Sequence, residues 1–150
     1  MLIDATLALL LQTSGEALVI PALNRDGDLL SDMILQMFGS IAGSESLVLA
    51  FDPEALNVDV AMAEAPHGTA PALQGKDIAN PMAMILACAA LLSYVPHAEK
   101  ASRAIYEAVF ENLYEGNATH DLGGQMTTSG FTDKVIRRVS GKLEVWATLG

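Results

Sequence analysis

Apolar residues are gathered into blocks along this chain, and the spacing inside each block predicts an element. Leu2 to Gln12 is almost unbroken Leu and Ala, a helix-forming composition ended by Thr13-Ser14-Gly15. Ala17-Leu18-Val19-Ile20 is a short apolar run closed by Pro21, which predicts a buried strand. The stretch from Gly27 to Phe38 predicts a helix, and Gly39 stops it. Leu47 to Phe51 and Val58 to Ala63 read as two strands on either side of the turn Asp52-Pro53-Glu54.

From Ala65 to Ile78 the pattern breaks into a loop holding Pro66, Gly68, Pro71 and Gly75. Loops of that length inside a compact chain are usually functional. Asn80-Pro81 then opens a helix as N-cap and first-position proline. This helix, to about Tyr94, is apolar nearly all round and is expected to be buried. Pro96 opens an amphipathic helix ending near Gly116, Leu122-Gly123-Gly124 is a turn, and Thr128 or Ser129 can cap a last helix through Val139. Strands alternating with helices predict an α/β protein.

Composition narrows the partners. With 150 residues, 51% of them hydrophobic, the chain reads as one globular unit with a sizeable core. Eight basic residues against eighteen acidic ones give a net charge of −10. Nucleic acids and anionic membranes need clustered Lys and Arg, so this balance argues against both as surfaces for this chain to bind. Cys88 is the lone cysteine, which leaves no internal disulfide or cysteine zinc site and fits a cytoplasm or organelle matrix. The start, MLIDATLALLLQ, lacks a basic region and a cleavage site, so it does not read as a signal peptide. The run from Met82 to Leu92 is too short to span a bilayer.

Three segments carry candidate chemistry. NRDGDLLSD places Asp28 and Asp32 four apart on one helix face, where two like charges repel unless a cation lies between them. The plainer reading is a solvated first turn that favours the helix dipole. Glu64 to Pro71, running on through Gly75-Lys76-Asp77 to Asn80-Pro81, contains neither GxGxxG nor GxxxxGK[ST], so no standard phosphate loop applies. Thr119-His120-Asp121-Leu122-Gly123-Gly124 is the third, with a hairpin or cap as its bland reading.

In this order and spacing the three segments resemble the C-terminal part of the isocitrate/3-isopropylmalate dehydrogenases, the metal- and nicotinamide-dependent β-decarboxylating dehydrogenases. The resemblance runs from Ile3 to about Val139. It implies an isopropylmalate dehydrogenase-like, three-layer α/β/α fold of which only the C-terminal part is here. Residues 1–39 would belong to the dimerising, metal-site domain and 40–150 to the cofactor-binding domain. Asp28 and Asp32 match the family's NxxGDxxSD motif, which holds Mg²⁺ or Mn²⁺. Ile3-Asp4-Ala5 stands where the family has a further aspartate, given to the metal across a dimer, so Asp4 is expected as metal ligand and catalytic carboxylate. Hard oxygen ligands of this kind suit such an ion.

The loop matches the family's HG(S/T)AP…GK…ANP segment. By that resemblance His67, Gly68, Thr69, Ala70 and Pro71 lie against the adenosine part of a dinucleotide, Asn80 meets the adenine, and Glu64 approaches the nicotinamide ribose. Ala72 and Leu73 occupy the positions that discriminate NAD from NADP. The NADP set of Lys-Tyr, Tyr and Arg is absent, which favours NAD, but Ala72 also replaces the aspartate usual in NAD users. Ile41-Ala42-Gly43-Ser44-Glu45 replaces a glycine-rich, proline-containing segment of the family.

The family's substrate arginines and its catalytic tyrosine and lysine precede the matched region. The expectation is therefore the C-terminal part of an NAD- and Mg-dependent oxidative decarboxylase of a 2-hydroxy acid, isocitrate or 3-isopropylmalate. It would work as a homodimer or with a partner chain that supplies the N-terminal half. The alternative is a non-catalytic or regulatory subunit, or a decayed homologue, that keeps a metal or nucleotide site.

Overall fold

The computed structural model describes residues 3–12 and 17–149. Helix α1 spans Ile3–Gln12 and α2 spans Asn24–Met37; the hairpin β1 (Ser46–Phe51) and β2 (Val58–Glu64) follows, then α3 (Met82–Leu92), α4 (Glu99–Tyr114) and α5 (Thr128–Leu149). The expected stop at Thr13-Ser14-Gly15 lies outside the described residues, as does Leu2. Residues 17–20 are not a strand. A strand needs a neighbour for its N–H and C=O groups, and among the described residues the sheet consists of β1 and β2 alone.

The strands pair antiparallel, Ser46 opposite Glu64 through Ala50 opposite Val60, with a register shift at Ala50/Phe51. Asp52 closes the turn: its Oδ1 accepts the N–H groups of Glu54 at 2.9 Å and Ala55 at 2.6 Å. Side chains alternate across the sheet. On one face Leu49, Ala61 and Ala63 are half-buried, and α3 packs against the strands. On the other, Val48, Val60 and Met62 are exposed, and no residue of either strand is fully buried. Apolar runs of this kind belong to strands covered on both faces. The fold is α/β.

The core lies where α3, α4 and α5 meet, and its buried members are Met82, Leu86, Ala108, Val109, Phe131 and Val135. Helix α3 buries Ala83, Ala87, Ala89 and Ala90 as well, and the small side chains let α4 approach closely. Ser102 Oγ of α4 donates to the Ala89 carbonyl of α3 at 2.7 Å. The α3 start matches expectation: Asn80 Oδ1 accepts the Met82 N–H at 2.9 Å, one of the orphan donors of a helix start.

Four helix ends differ from the sequence reading. α2 begins at Asn24 rather than at Gly27, so Asp26 and not Asp28 is the carboxylate of its first turn. α4 begins at Glu99 rather than at Pro96, because His97 takes a left-handed φ of 67° that no helix continues through. α5 is capped by Thr127, whose Oγ1 accepts the Gly130 N–H at 3.0 Å, not by Thr128 or Ser129. It also runs ten residues past Val139 to Leu149. Beyond Gly141 it is held against α4 by Lys142, whose Nζ donates to Glu107 at 2.9 Å and Glu111 at 2.6 Å. Arg138 bridges Glu111 and Glu115, and the Arg103 guanidinium lies 5.4 Å from the Trp146 ring centroid.

Candidate nucleotide cleft and carboxylate pair

A cleft of about 810 Å³ opens between the end of α2, the loop after β2 and the turn at Asp121. That volume suits a small organic ligand. The α2 side contributes Gly39, Ser40 and Ile41, and the loop contributes His67, Gly68, Thr69 and Ala70. The loop bends tightly: Ala70 and Asp77 sit at left-handed φ of 42° and 55°, and Gly75 at 74°. Non-glycine residues in that region carry strain of about 1 kcal/mol or more and gather at ligand-holding segments. Leu73 N–H donates to the Ala70 carbonyl at 2.9 Å, and the His67 ring Nδ1 lies 3.0 Å from the Gly68 carbonyl oxygen. The N–H groups of Gly68, Thr69 and Ala70 donate to no other backbone carbonyl among the described residues, so they are free for solvent or a ligand.

At the back of the cleft, Asp121 is a polar junction. Its Oδ2 accepts from Ser40 Oγ and from Asn80 Nδ2, the latter at 2.9 Å, and its Oδ1 accepts from Thr119 Oγ1. Partial burial works to raise its pKa, but the hydrogen bonds from Ser40, Thr119 and Asn80 outweigh that and hold it below the ordinary carboxylate value. The backbone there admits only glycine at 124: a Cβ would lie 1.8 Å from the Ala118 carbonyl oxygen.

Asp77, on the cleft's other edge, is committed to α5. Its carboxylate accepts the Ser129 hydroxyl at 2.6 Å and the Ser129 N–H at 2.9 Å, and the hydroxyl bond first, then the N–H bond, lower its pKa. Among the described residues Asp77 and Asp121 are the cleft's carboxylates, His67 is its one basic side chain, and no Lys or Arg lines it. Such a lining accepts an uncharged, hydrogen-bonding group and repels added phosphate.

The cleft gathers six of the residues expected to hold a cofactor: His67, Gly68, Thr69, Ala70, Leu73 and Asn80. Pro71 and Ala72 lie in the short 3-10 turn Pro71–Leu73 and are exposed outside the lining, and Glu64 is exposed at the end of β2. Asp121, Ser40 and Asp77 were not singled out as site residues. Asp121 falls within the Thr119–Gly124 segment that carries candidate chemistry, but nothing local to it names its partners.

Asp28 and Asp32 are exposed one turn apart on α2, with no salt bridge to either carboxylate among the described residues. Two hard oxygen donors on one helix face fit a divalent ion as part of its shell. They do not complete it: among the described residues no three His, Cys, Asp or Glu side chains converge. Asp4 is exposed in the first turn of α1, where its Oδ1 accepts the Ala5 N–H at 2.8 Å. Asp4 therefore does not join Asp28 and Asp32 in one cluster among the described residues.

The family model described as isocitrate/isopropylmalate dehydrogenase matches residues 1–135. A homoisocitrate dehydrogenase of Methanocaldococcus jannaschii is 36% identical over 143 residues, covering 95% of this chain and 39% of that protein. The mitochondrial isocitrate dehydrogenase [NAD] subunit alpha of Homo sapiens is 36% identical over 125 residues, covering 83% of this chain and 32% of that one. The crystal structure of a beta-decarboxylating dehydrogenase from Thermococcus kodakarensis superposes with a TM-score of 0.75 at 31% identity, over 95% of this chain and 40% of its own. The chain spans well under half the length of these relatives. No helix among the described residues is long and apolar enough to cross a membrane.

Proposed function

The chain belongs to the isocitrate/isopropylmalate dehydrogenase family, and on that premise we propose that it forms the NAD-binding and metal-binding part of an oxidative decarboxylase of a 2-hydroxy acid. Residues 1–39 carry the carboxylates for Mg²⁺ or Mn²⁺, and residues 40–150 carry the nucleotide cleft apart from Gln36 and Gly39 near the end of α2. The observation that carries this reading is the cleft itself, which brings His67–Ala70, Leu73 and Asn80 around one space.

NAD is the better fit than NADP, because a cleft lined by Asp77 and Asp121 without Lys or Arg offers nothing to a 2′-phosphate. Asp28 and Asp32 would hold the divalent ion, with Asp4 reaching the equivalent pair of a second subunit. A bound divalent ion supplies positive charge to the substrate's hydroxyl and carboxylate oxygens. The chain's own residues bind the nucleotide's adenosine end and present the two carboxylates. Substrate recognition falls to the rest of the fold, which also covers the bare face of Val48, Val60 and Met62.

The test is calorimetry of the 150-residue chain with NAD and with NADP. Binding of NAD that weakens on Ala70→Pro or Gly68→Val, with NADP weaker still, is the expected result. Equal binding of both, or of neither, overturns the reading of the cleft.

A second reading, a non-catalytic or regulatory subunit, is favoured by Ala72, which stands where NAD-using family members carry an aspartate. Retention of Asp4, Asp28 and Asp32 favours the first reading. The two part on turnover: a regulatory chain binds ligand yet never contributes to NAD reduction, even beside the rest of the fold.

A further inference from the structure

Asp121 joins three segments that line the cleft, and one of them is the end of the helix that carries the carboxylate pair. Ser40 is buried, and its hydroxyl donates to Asp121 while accepting the Ala42 N–H at 3.1 Å. The chain between α2 and Ser40 is wound without slack. Phe38 N–H donates to the Ile34 carbonyl, Gly39 N–H to Gln36 and Ser40 N–H to Leu35. Ser40 therefore moves with the helix.

The body of α2 is lightly held, with Leu30 its one buried residue. Asp32 lies five positions before the end of α2 at Met37, about 7.5 Å along the axis at about 1.5 Å per residue. A rod pinned at one end carries a small tilt at the pin to its far end. Gly39, Ser40, Asn80 and Asp121 all face the cleft, so a ligand there touches the pin itself.

We propose that the Ser40–Asp121 hydrogen bond couples nucleotide in the cleft to the divalent cation at Asp28 and Asp32, with Asp121 as the positioning residue that acts through Ser40 on α2. This rests on the nucleotide and metal reading above. A nucleotide that orders Asp121 and its donors also orders α2, and the cation then meets two carboxylates already in place. Coupling of this kind is reciprocal: each ligand must tighten the other by one and the same factor.

The experiment is a pair of titrations on the 150-residue chain, Mn²⁺ with and without saturating NAD, and NAD with and without saturating Mn²⁺. The expected result is an equal mutual tightening of about fivefold or more. Ser40→Ala removes a cleft-lining hydroxyl and is expected to weaken NAD itself, but the decisive readout is that each ligand's affinity no longer changes when the other is added. Ser40→Thr, which keeps the hydroxyl, is expected to restore the tightening. Tightening that survives Ser40→Ala would mean direct contact between the ion and the nucleotide's phosphates, and would overturn the relay. So would two ligands that bind the parent chain independently, while the cleft and metal readings stand. Absence of NAD binding altogether would overturn the reading of the cleft and this proposal with it.

Discussion

Asn80 and Asp121 lie 41 positions apart in the chain and are joined by a hydrogen bond of 2.9 Å from the Asn80 amide to the Asp121 carboxylate. The other end of the same amide accepts the Met82 N–H and starts α3. Asn80 thus spends its acceptor on the helix and one donor on Asp121, leaving one amide hydrogen for a ligand. A residue expected to touch adenine is also a structural clamp between the loop and the third motif.

That double use makes a charge test possible. Asn80→Ala loses the α3 cap and is expected to cost about 1 kcal/mol. Asn80→Asp keeps an acceptor for Met82 but sets a second carboxylate against Asp121, and two like charges so close cannot both ionise without cost. It is expected to be less stable than Asn80→Ala at pH 7 and to recover as acid protonates one of the pair. Urea melts of both variants at pH 7 and pH 4 decide it; an aspartate variant with no acid recovery would show that the two side chains have moved apart.

Asp77 predicts the opposite pH behaviour for the parent chain. Its folded pKa lies below the ordinary 3.8 because Ser129 donates to it through hydroxyl and N–H. A depressed carboxyl contributes stability that is complete above the unfolded value and is lost as pH falls through the folded one. Its negative charge also sits at the N-terminus of α5, where the helix dipole favours it. Asp77→Asn is therefore expected to lower Tm at pH 7 and to converge on the parent as pH falls below about 3.8. Melts that stay separated by a constant offset across that range would remove the charge from the explanation.

Much of this was legible in the sequence because it is local. The Asn80-Pro81 start, the hairpin around Asp52 and the paired aspartates of α2 are each written within a few residues. The apolar run from Ala17 to Ile20 misled, since a strand is defined by its neighbour and not by its own composition. The end of α5 misled for a related reason: Ser140-Gly141 is poor helix material, and Lys142 holds the helix through Glu107 and Glu111 on another element. Asp121 shows the same limit at the candidate site. Its motif stands out in the chain, but the Ser40 hydroxyl that it holds lies 81 positions away.

The bare sheet face predicts association. Val48 is opposite Met62 across the hairpin, and with Val60 the three present an apolar face at 54%, 48% and 63% exposure. Leu9 and Leu11 of α1 add further exposed apolar surface. Contiguous patches of this kind mark interfaces or lead to aggregation. The chain is expected to self-associate at high concentration, and Val48→Lys with Met62→Lys to shift it toward monomer. Sedimentation velocity showing a clean monomer for the parent would sink this.

The last prediction concerns turnover. Hydride transfer needs the substrate held beside the nicotinamide, and decarboxylation needs a proton donor for the carbon that loses CO₂. Among the described residues no Lys, Arg or Tyr lines the cleft. Arg138 is paired with Glu111 and Glu115, Arg103 with Glu107, and Arg25 lies 3.6 Å from Asp26 at the surface. Arg137 is exposed on α5, and none of the four lines the cleft. Tyr106 donates to Glu45, and burial first, then that bond, pushes its pKa well above the ordinary value, so it is a poor acid. Tyr114 is 94% exposed on α4, outside the cleft lining. The 150 residues alone are expected to reduce no NAD with isocitrate or 3-isopropylmalate in the presence of Mn²⁺. Activity is expected only when the N-terminal portion of the family fold is supplied, and Asp28→Asn is expected to remove it again. Turnover by the 150 residues alone, abolished by Asp28→Asn, would place the substrate-binding and proton-donating groups within this chain and overturn the division of labour proposed for it.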